Sequence, residues 1–331
     1  MKVHGLLLLD KPRGLSSNTA LQKARRLLDA DKAGHGGTLD PLADGLLPLM
    51  FGEACKLAES ALEGDKAYEA EVRLGQVTTT DDAEGEVVAT APVAFSDAEL
   101  QGVLSRLRGR IVQVPPVYSA LKVAGKPLYR YARDGNPVQP APREVQVHQL
   151  ELLERSDGDR PMLRIRVGCS KGTYIRSLAR DIGAALGCGA HLRALRRTMV
   201  GRFAVADAVT LEALEALAPD ARRARLVDLE ALVADWPSVT LDAAETARFR
   251  QGQSVPLAAS RLPLRAAARL EAAAPAGAAA PLGAAAPLGA AALAAEARIA
   301  IFCDGRLAGL GRCSTNNEQD CVLAPARVIV P

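Results

Sequence analysis

An acidic residue, Asp40, lies between a glycine-rich approach and a proline in the segment GHGGTLDPLADGLLPL, residues 34–49. The glycines permit a tight loop and the close approach of another backbone, and Pro41 disfavours helix just before it. The segment could cradle a phosphate, place His35 at a metal, or present the Asp40 carboxylate to a substrate. Taken alone, the local pattern favours an Asp that forms or caps a turn.

Basic residues are concentrated in two parts of the chain. Ser105–Arg133 contains seven basic residues and no acid, and Arg160–Arg202 contains ten basic residues against Asp181 alone. The balance reverses between Asp81 and Glu99, which has six acids and no base. This segregation, hidden behind a net charge of +3, indicates a face that binds a polyanion.

Tyrosines are interleaved with cations in the first basic stretch. The segment PPVYSALKVAGKPLYRYAR places Tyr118, Tyr129 and Tyr131 among Lys122, Lys126, Arg130 and Arg133. This mixture suits phosphate contacts combined with stacking on bases or ribose. A solvated positive surface with tyrosines in the core is the alternative that the segment alone leaves open.

Motifs for common cofactors and metals are missing. The sequence has no GxxxxGK[ST], GxGxxG, HExxH or GxSxG, and no deaminase pattern. The six cysteines form no CxxC pair, which indicates reduced and mostly buried thiols. Cys188 and His191 lack a second pair at zinc spacing, so we expect no metal. Any chemistry would then depend on side chains alone.

Length and composition favour a globular protein. The 331 residues are 49% hydrophobic, enough for one large domain and a smaller one. The apolar run from Gly5 to Leu9 is too short for a signal peptide, and no stretch of about 18 apolar residues follows. We expect a soluble cytoplasmic protein with no membrane segment.

Caps and apolar stripes predict four helices. The segment SSNTALQKARRLLDA has a serine cap and is predicted to end at Gly34, and GEACKLAESALEG predicts a short helix. Ser96 and Glu99 form a capping box before another helix. A fourth helix in GTYIRSLARDIGAALG is predicted to be capped by Thr173 and closed by Gly187.

Alternating residues predict strands in KAYEAEVRLG and MLRIRVGCS. Because strands and helices are interleaved irregularly, we predict an α+β fold with a mixed, mainly antiparallel sheet and flanking helices. Beyond Trp236–Pro237, a hairpin with an Asp304–Gly305 turn and a final strand predict a small β-rich domain. An Ala/Pro/Gly-rich insertion, about 264–296, is expected to be flexible.

Several long motifs, taken together and in order, resemble the bacterial TruB-type tRNA pseudouridine synthases, which isomerise uridine 55 in the TΨC loop of tRNA. The spacing agrees over residues 1–235, and the tail resembles a PUA-like RNA-binding domain more weakly. The matching segments are LLLLDKPRGLSSN, KAGHGGTLDPLADGLLPLMFGEACKLAE, DKAYEAEVRLGQVTTTDDAEGE, VPPVYSALKVAGKPLYRYARDG and CSKGTYIRSLARDIGAALGCGAHLRALRRTMVGRF.

The resemblance implies a pseudouridine synthase core at 1–235, with a tRNA-binding segment at about 105–150, and a PUA-like domain at 236–331. It implies a cofactor-free and metal-free reaction that cleaves the C1′–N1 bond, turns the uracil and joins C1′ to C5. The core would bind the T arm of tRNA and the tail the acceptor-stem side. Nothing in the sequence requires a protein partner or more than a monomer.

The same resemblance implies roles for individual residues. Asp40 matches the catalytic aspartate, Arg176 the arginine that pairs with it, and Tyr68 the tyrosine that stacks on the target base. From the pattern alone, Tyr68 could be a core residue and Arg176 a phosphate clamp. The substrate-binding set comprises His35 in the space vacated by the flipped base, Leu195 in the pocket, Lys11 beside Pro12 as a support of the loop, Asp82, Lys122, Lys126, Tyr131, Arg196 and Arg197.

Two residues depart from the family pattern, since Gly36 stands where threonine is usual and Asp44 where a small neutral residue is usual. Gly36 could loosen the loop, and Asp44 adds a negative charge near the site. Two other functions stay open: a tRNA-binding or tRNA-folding protein without essential catalysis, and a pseudouridine synthase that acts on another RNA uridine. Whether Asp40 attacks C1′, attacks C6 or acts as a base at the ribose is also open.

Overall fold

The chain forms two compact units, Met1–Leu226 and Val227–Pro331. The structure, a computed structural model, describes residues 3–57, 64–158, 161–234, 236–258, 261, 298–315 and 320–330. The Ala/Pro/Gly-rich insertion lies outside these residues. No helix among them is long and apolar enough to cross a membrane.

The first unit is built on a ten-stranded mixed sheet with two small hairpins beside it. Its strands are β1 Gly5–Lys11, β2 Ala33–His35, β3 Ala43–Phe51, β4 Lys66–Leu74, β5 Gln76–Thr78, β6 Val87–Thr90, β7 Gly109–Gln113, β8 Lys122–Val123, β9 Lys126–Pro127, β10 Arg143–Ser156, β11 Met162–Cys169, β12 Ala190–Val200, β13 Phe203–Ala204 and β14 Val209–Thr210. Its helices are α1 Ser17–Leu27, α2 Asp97–Arg106, α3 Leu128–Arg133, α4 Ile175–Ala185, α5 Leu211–Ala216 and α6 Pro219–Arg223, with 3-10 turns at Gly52–Lys56 and Val205–Asp207.

The main sheet has the order β14-β1-β3-β12-β4-β11-β10-β7, with β2 paired to β3 and β13 paired to β12. The pairs β1–β14 and β3–β12 are parallel, and the other pairs in this sheet are antiparallel. The predicted α+β class with a mixed, mainly antiparallel sheet is therefore confirmed.

Alternation along β4 and β11 places apolar side chains on the covered face of the sheet. On β4, Tyr68 is buried with Ala70, Val72 and Leu74, while the residues between them are only partly covered. β11 pairs with β4 along its whole length and buries Leu163, Ile165, Val167 and Cys169 in the same way. Each fully buried aliphatic side chain stabilises the fold by roughly 1.5–3 kcal/mol. This packing fixes Tyr68 inside a rigid sheet.

The helix starts agree with the sequence in two cases and disagree in one. Ser16 caps α1 by accepting from the Thr19 N–H, and the Ser96/Glu99 capping box precedes α2. The predicted Thr173 cap of α4 is wrong, because Tyr174 occupies the cap position and the Thr173 hydroxyl donates to the Ser170 carbonyl at 3.0 Å.

Two predicted helix boundaries are also corrected. α1 ends at Leu27 and not at Gly34, since Asp29 adopts a left-handed φ of 51° and Ala30 N–H donates back to the Arg25 carbonyl. The segment from Gly52 forms a 3-10 turn as far as Lys56, and residues 58–63 lie outside the described part.

The second unit contains a five-stranded sheet in the order β15-β17-β18-β19-β16. The predicted hairpin joins β17 to β18, and both turn residues, Asp304 and Gly305, have positive φ as a two-residue type I′ turn requires. Its elements are β15 Ser238–Thr240, β16 Val255–Ala258, β17 Arg298–Cys303, β18 Arg306–Thr315 and β19 Asp320–Val328, with helices α7 Leu229–Leu232 and α8 Ala243–Arg250.

Gly45 allows β3 and β12 to approach closely beneath the Asp40 loop. Its φ is +99°, and a Cβ added there would lie 2.3 Å from the Arg197 carbonyl oxygen and 2.7 Å from the Arg197 nitrogen. Gly109 also has a positive φ, +85°, but a Cβ there would meet no atom within 4 Å. Substitution at Gly109 therefore tests backbone strain alone, whereas substitution at Gly45 adds a steric clash to that strain.

We expect Gly109→Ala to lower the free energy of unfolding by about 1–2 kcal/mol, the cost of a left-handed alanine. Gly45→Ala should cost about 1–3 kcal/mol more, because the methyl group also separates two paired strands. Urea unfolding followed by far-UV circular dichroism measures both. Equal losses in the two variants would show that the close approach at Gly45 does not constrain the fold.

Candidate active site

The Asp40 loop, residues 36–42, connects β2 to β3 and is held by backbone hydrogen bonds at both ends. Gly36 N–H donates to the Pro48 carbonyl at 2.9 Å, and Ala43 N–H donates to the Asp40 carbonyl at 3.0 Å. The Pro41 carbonyl accepts from Gly14 N–H at 2.7 Å, which ties the loop to the segment after β1. Gly36 thus belongs to a pinned backbone rather than to a loose one.

Ser17, the first residue of α1, fixes the residue before Asp40. Its hydroxyl donates to the Leu39 carbonyl at 2.9 Å and accepts from the Leu39 N–H at 2.8 Å. Ser17 is 2% exposed, so these hydrogen bonds are shielded from water. No sequence pattern indicates this role, because a serine after a serine cap is ordinary.

Arg197 on β12 holds the loop from the opposite side. Its Nε donates to the Leu46 carbonyl at 2.7 Å, its Nη2 to the Gly37 carbonyl at 3.2 Å, and its Nη1 reaches the Thr38 carbonyl at 3.5 Å. The side chain is among the largest fully buried ones in the described structure. Arg197 is therefore not part of an exposed basic face, although it lines the cavity described below, and its role in substrate binding stays a prediction.

Arg196 is also not a free surface charge. Its guanidinium pairs with Asp10 at 2.7 Å and with Asp44 at 2.6 Å. These hydrogen bonds raise the pKa of Arg196 above its usual range. Asp44 is thereby compensated by a cation, and Arg196 links β1, β3 and β12. Its role in RNA binding stays a prediction.

Arg176 pairs with Asp40 at the centre of the site. Its Nη2 lies 3.0 Å from Asp40 Oδ2, and its Nη1 lies 3.3 Å from Asp82 Oδ2. It also donates to the backbone carbonyls of Tyr118 at 2.8 Å and Thr80 at 3.3 Å. Arg176 is 6% exposed, so its position is set by these four acceptors.

Burial and neighbouring charges act in opposite directions on Asp40. Burial raises its pKa, Arg176 and Lys11 oppose that rise, and Asp82 adds to it. The net pKa of Asp40 lies above its usual range. The Arg176 cation therefore favours the ionised form of Asp40 against the effect of burial.

A cavity of about 390 Å³ brings Asp40, Tyr68, Arg176 and Leu195 together. Asp40 and Arg176 supply the polar side, while Leu195 on β12 contributes apolar surface. Tyr68 is 7% exposed; burial raises the pKa of its hydroxyl, and a hydrogen bond from Arg197 opposes that rise. The cavity is large enough for one nucleoside-sized ligand.

Lys11 and Asp82 do not line this cavity. Lys11 is fully buried and donates to the carbonyls of Pro12 at 2.9 Å and Leu15 at 2.7 Å, and burial lowers its pKa to about 8. Asp82 is buried against Arg176 and accepts from the Thr80 hydroxyl at 2.6 Å. Lys11 therefore holds the segment after β1, and Asp82 holds Arg176. These contacts favour a supporting role for both residues over contact with a substrate.

His35 lies on β2, paired with Leu49. Its Nδ1 is buried and has no hydrogen-bond partner among the described residues. Burial and the nearby Arg197 lower the pKa of His35, so the ring is neutral at pH 7. Its role beside a flipped nucleotide stays a prediction.

Lys122, Lys126 and Tyr131 lie on the β8–β9 hairpin and α3. Lys122 is exposed, and Lys126 Nζ lies 4.6 Å from the centre of the Tyr131 ring. Lys126 also pairs with Asp134, and the Tyr131 hydroxyl donates to the Val123 carbonyl at 3.3 Å. The three residues form a partly exposed cationic and aromatic surface outside the cavity.

Within the described residues, no group of three or more His, Cys, Asp or Glu side chains is placed to hold a metal. Cys188 is buried, and His191 Nδ1 lies 3.2 Å from the Gln76 carbonyl. The surroundings of Cys188 and His191 are therefore those of residues with a structural role.

Comparisons with known proteins agree with the sequence motifs. The model for the TruB family pseudouridylate synthase N-terminal domain matches residues 25–175, and the model for the tRNA pseudouridylate synthase B C-terminal domain matches residues 176–234. A protein named tRNA pseudouridine synthase B from Aromatoleum aromaticum is 50% identical over 329 residues, 99% of this chain and 93% of that protein. One of the same name from Ralstonia pickettii is 56% identical over 256 residues, 77% of this chain and 80% of that protein.

Solved structures show the same fold. A chain of a Cbf5-Nop10-Gar1 complex matches with a TM-score of 0.67 and 25% identity, over 99% of this chain and 85% of that chain. A chain of an archaeal box H/ACA sRNP Nop10-Cbf5 complex matches with a TM-score of 0.66 and 24% identity, over 99% of this chain and 86% of that chain.

We expect Arg197→Met to lower the free energy of unfolding by about 2–5 kcal/mol, because it leaves buried carbonyls without donors. The matched control is Arg193→Met on the same strand, since Arg193 is exposed and pairs with Glu71 at 3.0 Å. That control should cost less than about 1 kcal/mol. Urea unfolding followed by circular dichroism compares the two; a similar small loss in both would contradict the clamp role of Arg197.

We expect Asp40→Asn to raise the melting temperature at pH 7. Because the folded-state pKa of Asp40 is raised, ionisation of Asp40 destabilises the fold as pH rises through that pKa. The advantage of Asn should vanish near and below the ordinary aspartate pKa of about 4, where Asp40 is protonated in both states. Scanning calorimetry from pH 4 to 8 tests this, with the exposed Asp220→Asn as the control. A lower melting temperature for Asp40→Asn at pH 7 would refute it.

Proposed function

The chain belongs to the TruB family of pseudouridylate synthases, and on this premise we propose that it isomerises uridine 55 in the TΨC loop of tRNA to pseudouridine without a cofactor. The observation that carries the proposal is the Asp40–Arg176 ion pair in a nucleoside-sized cavity shared with Tyr68 and Leu195. Asp40, Arg176 and Tyr68 match the catalytic set of the family, and Leu195 matches a residue of its substrate pocket.

The reaction needs a carboxylate and no redox partner. The C1′–N1 bond breaks, the uracil turns, C1′ bonds to C5, and the C5 proton is lost while N1 gains one, so atoms and electrons balance. An ionised Asp40 can serve as nucleophile at C1′ or C6, or as base at the ribose. All three routes use the ionised carboxylate, which the ion pair with Arg176 favours against the effect of burial.

The target base is stacked within the T loop and has to be extruded to reach Asp40. Tyr68 and Leu195 offer an aromatic and an aliphatic surface on which a flipped uracil can stack. His35 fills part of the space that the base leaves. Tyr68 lines the cavity together with Asp40 and also assists removal of the C5 proton.

Recognition of tRNA is shared between two parts of the chain. The segment at about 105–150, with Lys122, Lys126 and Tyr131 exposed or partly exposed, binds the T arm. Residues 236–331 act as a PUA-like domain on the acceptor-stem side, after a catalytic domain at 1–235. The enzyme works as a monomer in the cytoplasm, where its substrate is found.

We expect the wild-type protein to release tritium from an unmodified tRNA transcript labelled at uracil C5, with the modified position mapped to the T loop. Asp40→Asn should abolish release but keep tRNA binding within about tenfold, since it removes the reacting carboxylate and keeps the shape of the site. Asp220→Asn is the matched control.

Two results would contradict the proposal. Release by Asp40→Asn at the wild-type rate would remove Asp40 from the chemistry. No release by the wild type despite tight tRNA binding would favour a tRNA-folding protein or another RNA substrate.

A further inference from the structure

Four cationic side chains line the cavity: Lys66, Arg143, Arg176 and Arg197. Two of the arginines already have several protein acceptors. Arg176 is held by two carboxylates and two carbonyls, and Arg197 by the carbonyls of Gly37 and Thr38 in the Asp40 loop and of Leu46 on β3. Most of the donors of both guanidinium groups are therefore used within the protein.

Arg143, the first residue of β10, is different. In the described part of the chain, one donor of its guanidinium has a protein acceptor, since Nη2 donates to the Gly172 carbonyl. Its Nε is shielded from solvent and has no hydrogen-bond partner there, and no described carboxylate pairs with it. A guanidinium carries five N–H donors in a fixed fork, so most of this fork is unused.

The Tyr174 ring, over which the Arg143 guanidinium lies, fixes the orientation of Arg143. The guanidinium carbon lies 4.7 Å from the centre of the Tyr174 ring. Tyr174 is itself clamped through its backbone by the fully buried Gln113, which accepts from Tyr174 N–H at 2.7 Å and donates to its carbonyl at 3.0 Å. Gln113 and Arg143 are direct partners in the β7–β10 ladder. The sequence gives no hint of this arrangement, because the three residues are far apart in the chain.

We propose that Arg143 binds a phosphodiester that flanks the target uridine while its base occupies the cavity. The inference rests on the proposed function, which brings a polynucleotide to this site. Uracil and ribose are neutral, so the anion that accompanies them is a backbone phosphate. A guanidinium fork with free donors and one stacked face matches two phosphate oxygens, as arginine does at phosphate sites. Arg143 is thus a binding residue that positions the flipped nucleotide over Asp40.

The test combines a change in the protein with a change in the RNA, in the manner of a double-mutant cycle. An RNA hairpin with a single target uridine is synthesised with all phosphates, or with one neutral methylphosphonate at the 5′ or the 3′ linkage of that uridine. Single-turnover pseudouridine formation is measured for wild type, Arg143→Gln and Arg143→Lys, and for Arg26→Gln, an exposed charge control on α1. Circular dichroism melts check that each variant folds.

On the all-phosphate hairpin, Arg143→Gln should lower the apparent second-order rate constant by about 10- to 100-fold, the range for loss of charge-assisted hydrogen bonds. One of the two methylphosphonates should slow the wild type by a similar factor, and Arg143→Gln should then add no further loss. Arg143→Lys should recover part of the rate, because it keeps the charge without the fork. Arg26→Gln should match the wild type.

Three outcomes would overturn the proposal. The first is that neither neutral linkage slows the wild type, a result that holds even if a variant fails to fold. The second is that Arg143→Gln reacts at the same rate as Arg26→Gln. The third is that the rate losses from Arg143→Gln and from each methylphosphonate multiply, which would mean that Arg143 only supports the Tyr174 segment. Failure of the proposed function is distinct, since the wild type would then form no pseudouridine on any hairpin.

Discussion

Asp40 and Arg176 form an ion pair at 3.0 Å, and Arg176 is almost completely withdrawn from water. A carboxylate in such surroundings tends to take up a proton, and the pKa of Asp40 is indeed raised. The cation therefore favours the ionised form of Asp40, and Asp82 and two backbone carbonyls hold the cation in place. Many of the other contacts in the site hold Asp40 and Arg176 in this position.

The Asp40 loop is held by elements that lie far apart in the sequence. Ser17 at the start of α1, Gly14 after β1 and Arg197 on β12 each bind a different backbone group of the loop or its ends. Because each support belongs to a packed element, the loop inherits the rigidity of the sheet and the helix. A reaction that depends on one positioned carboxylate benefits from such preorganisation.

Local patterns predicted the elements well and the charged residues poorly. The Ser16 cap, the Ser96 capping box and the alternation around Tyr68 depend on residues a few positions away, so the sequence contains the whole signal. Arg197 is buried and does not lie on the basic face that the sequence indicated, and the carbonyl that its Nε binds lies 151 residues earlier in the chain. The set Asp40, Tyr68 and Arg176 came from family motifs, and only the folded chain brings its members to one cavity.

The central claim is that Arg176 favours ionised Asp40 against burial. It is tested most directly by the pH dependence of the single-turnover rate of pseudouridine formation in wild type, Arg176→Gln and Asp82→Asn. Because Arg176 lowers and Asp82 raises the pKa of Asp40, the acid limb should move to higher pH in Arg176→Gln and to lower pH in Asp82→Asn. An acid limb at the wild-type position in both variants would contradict the account.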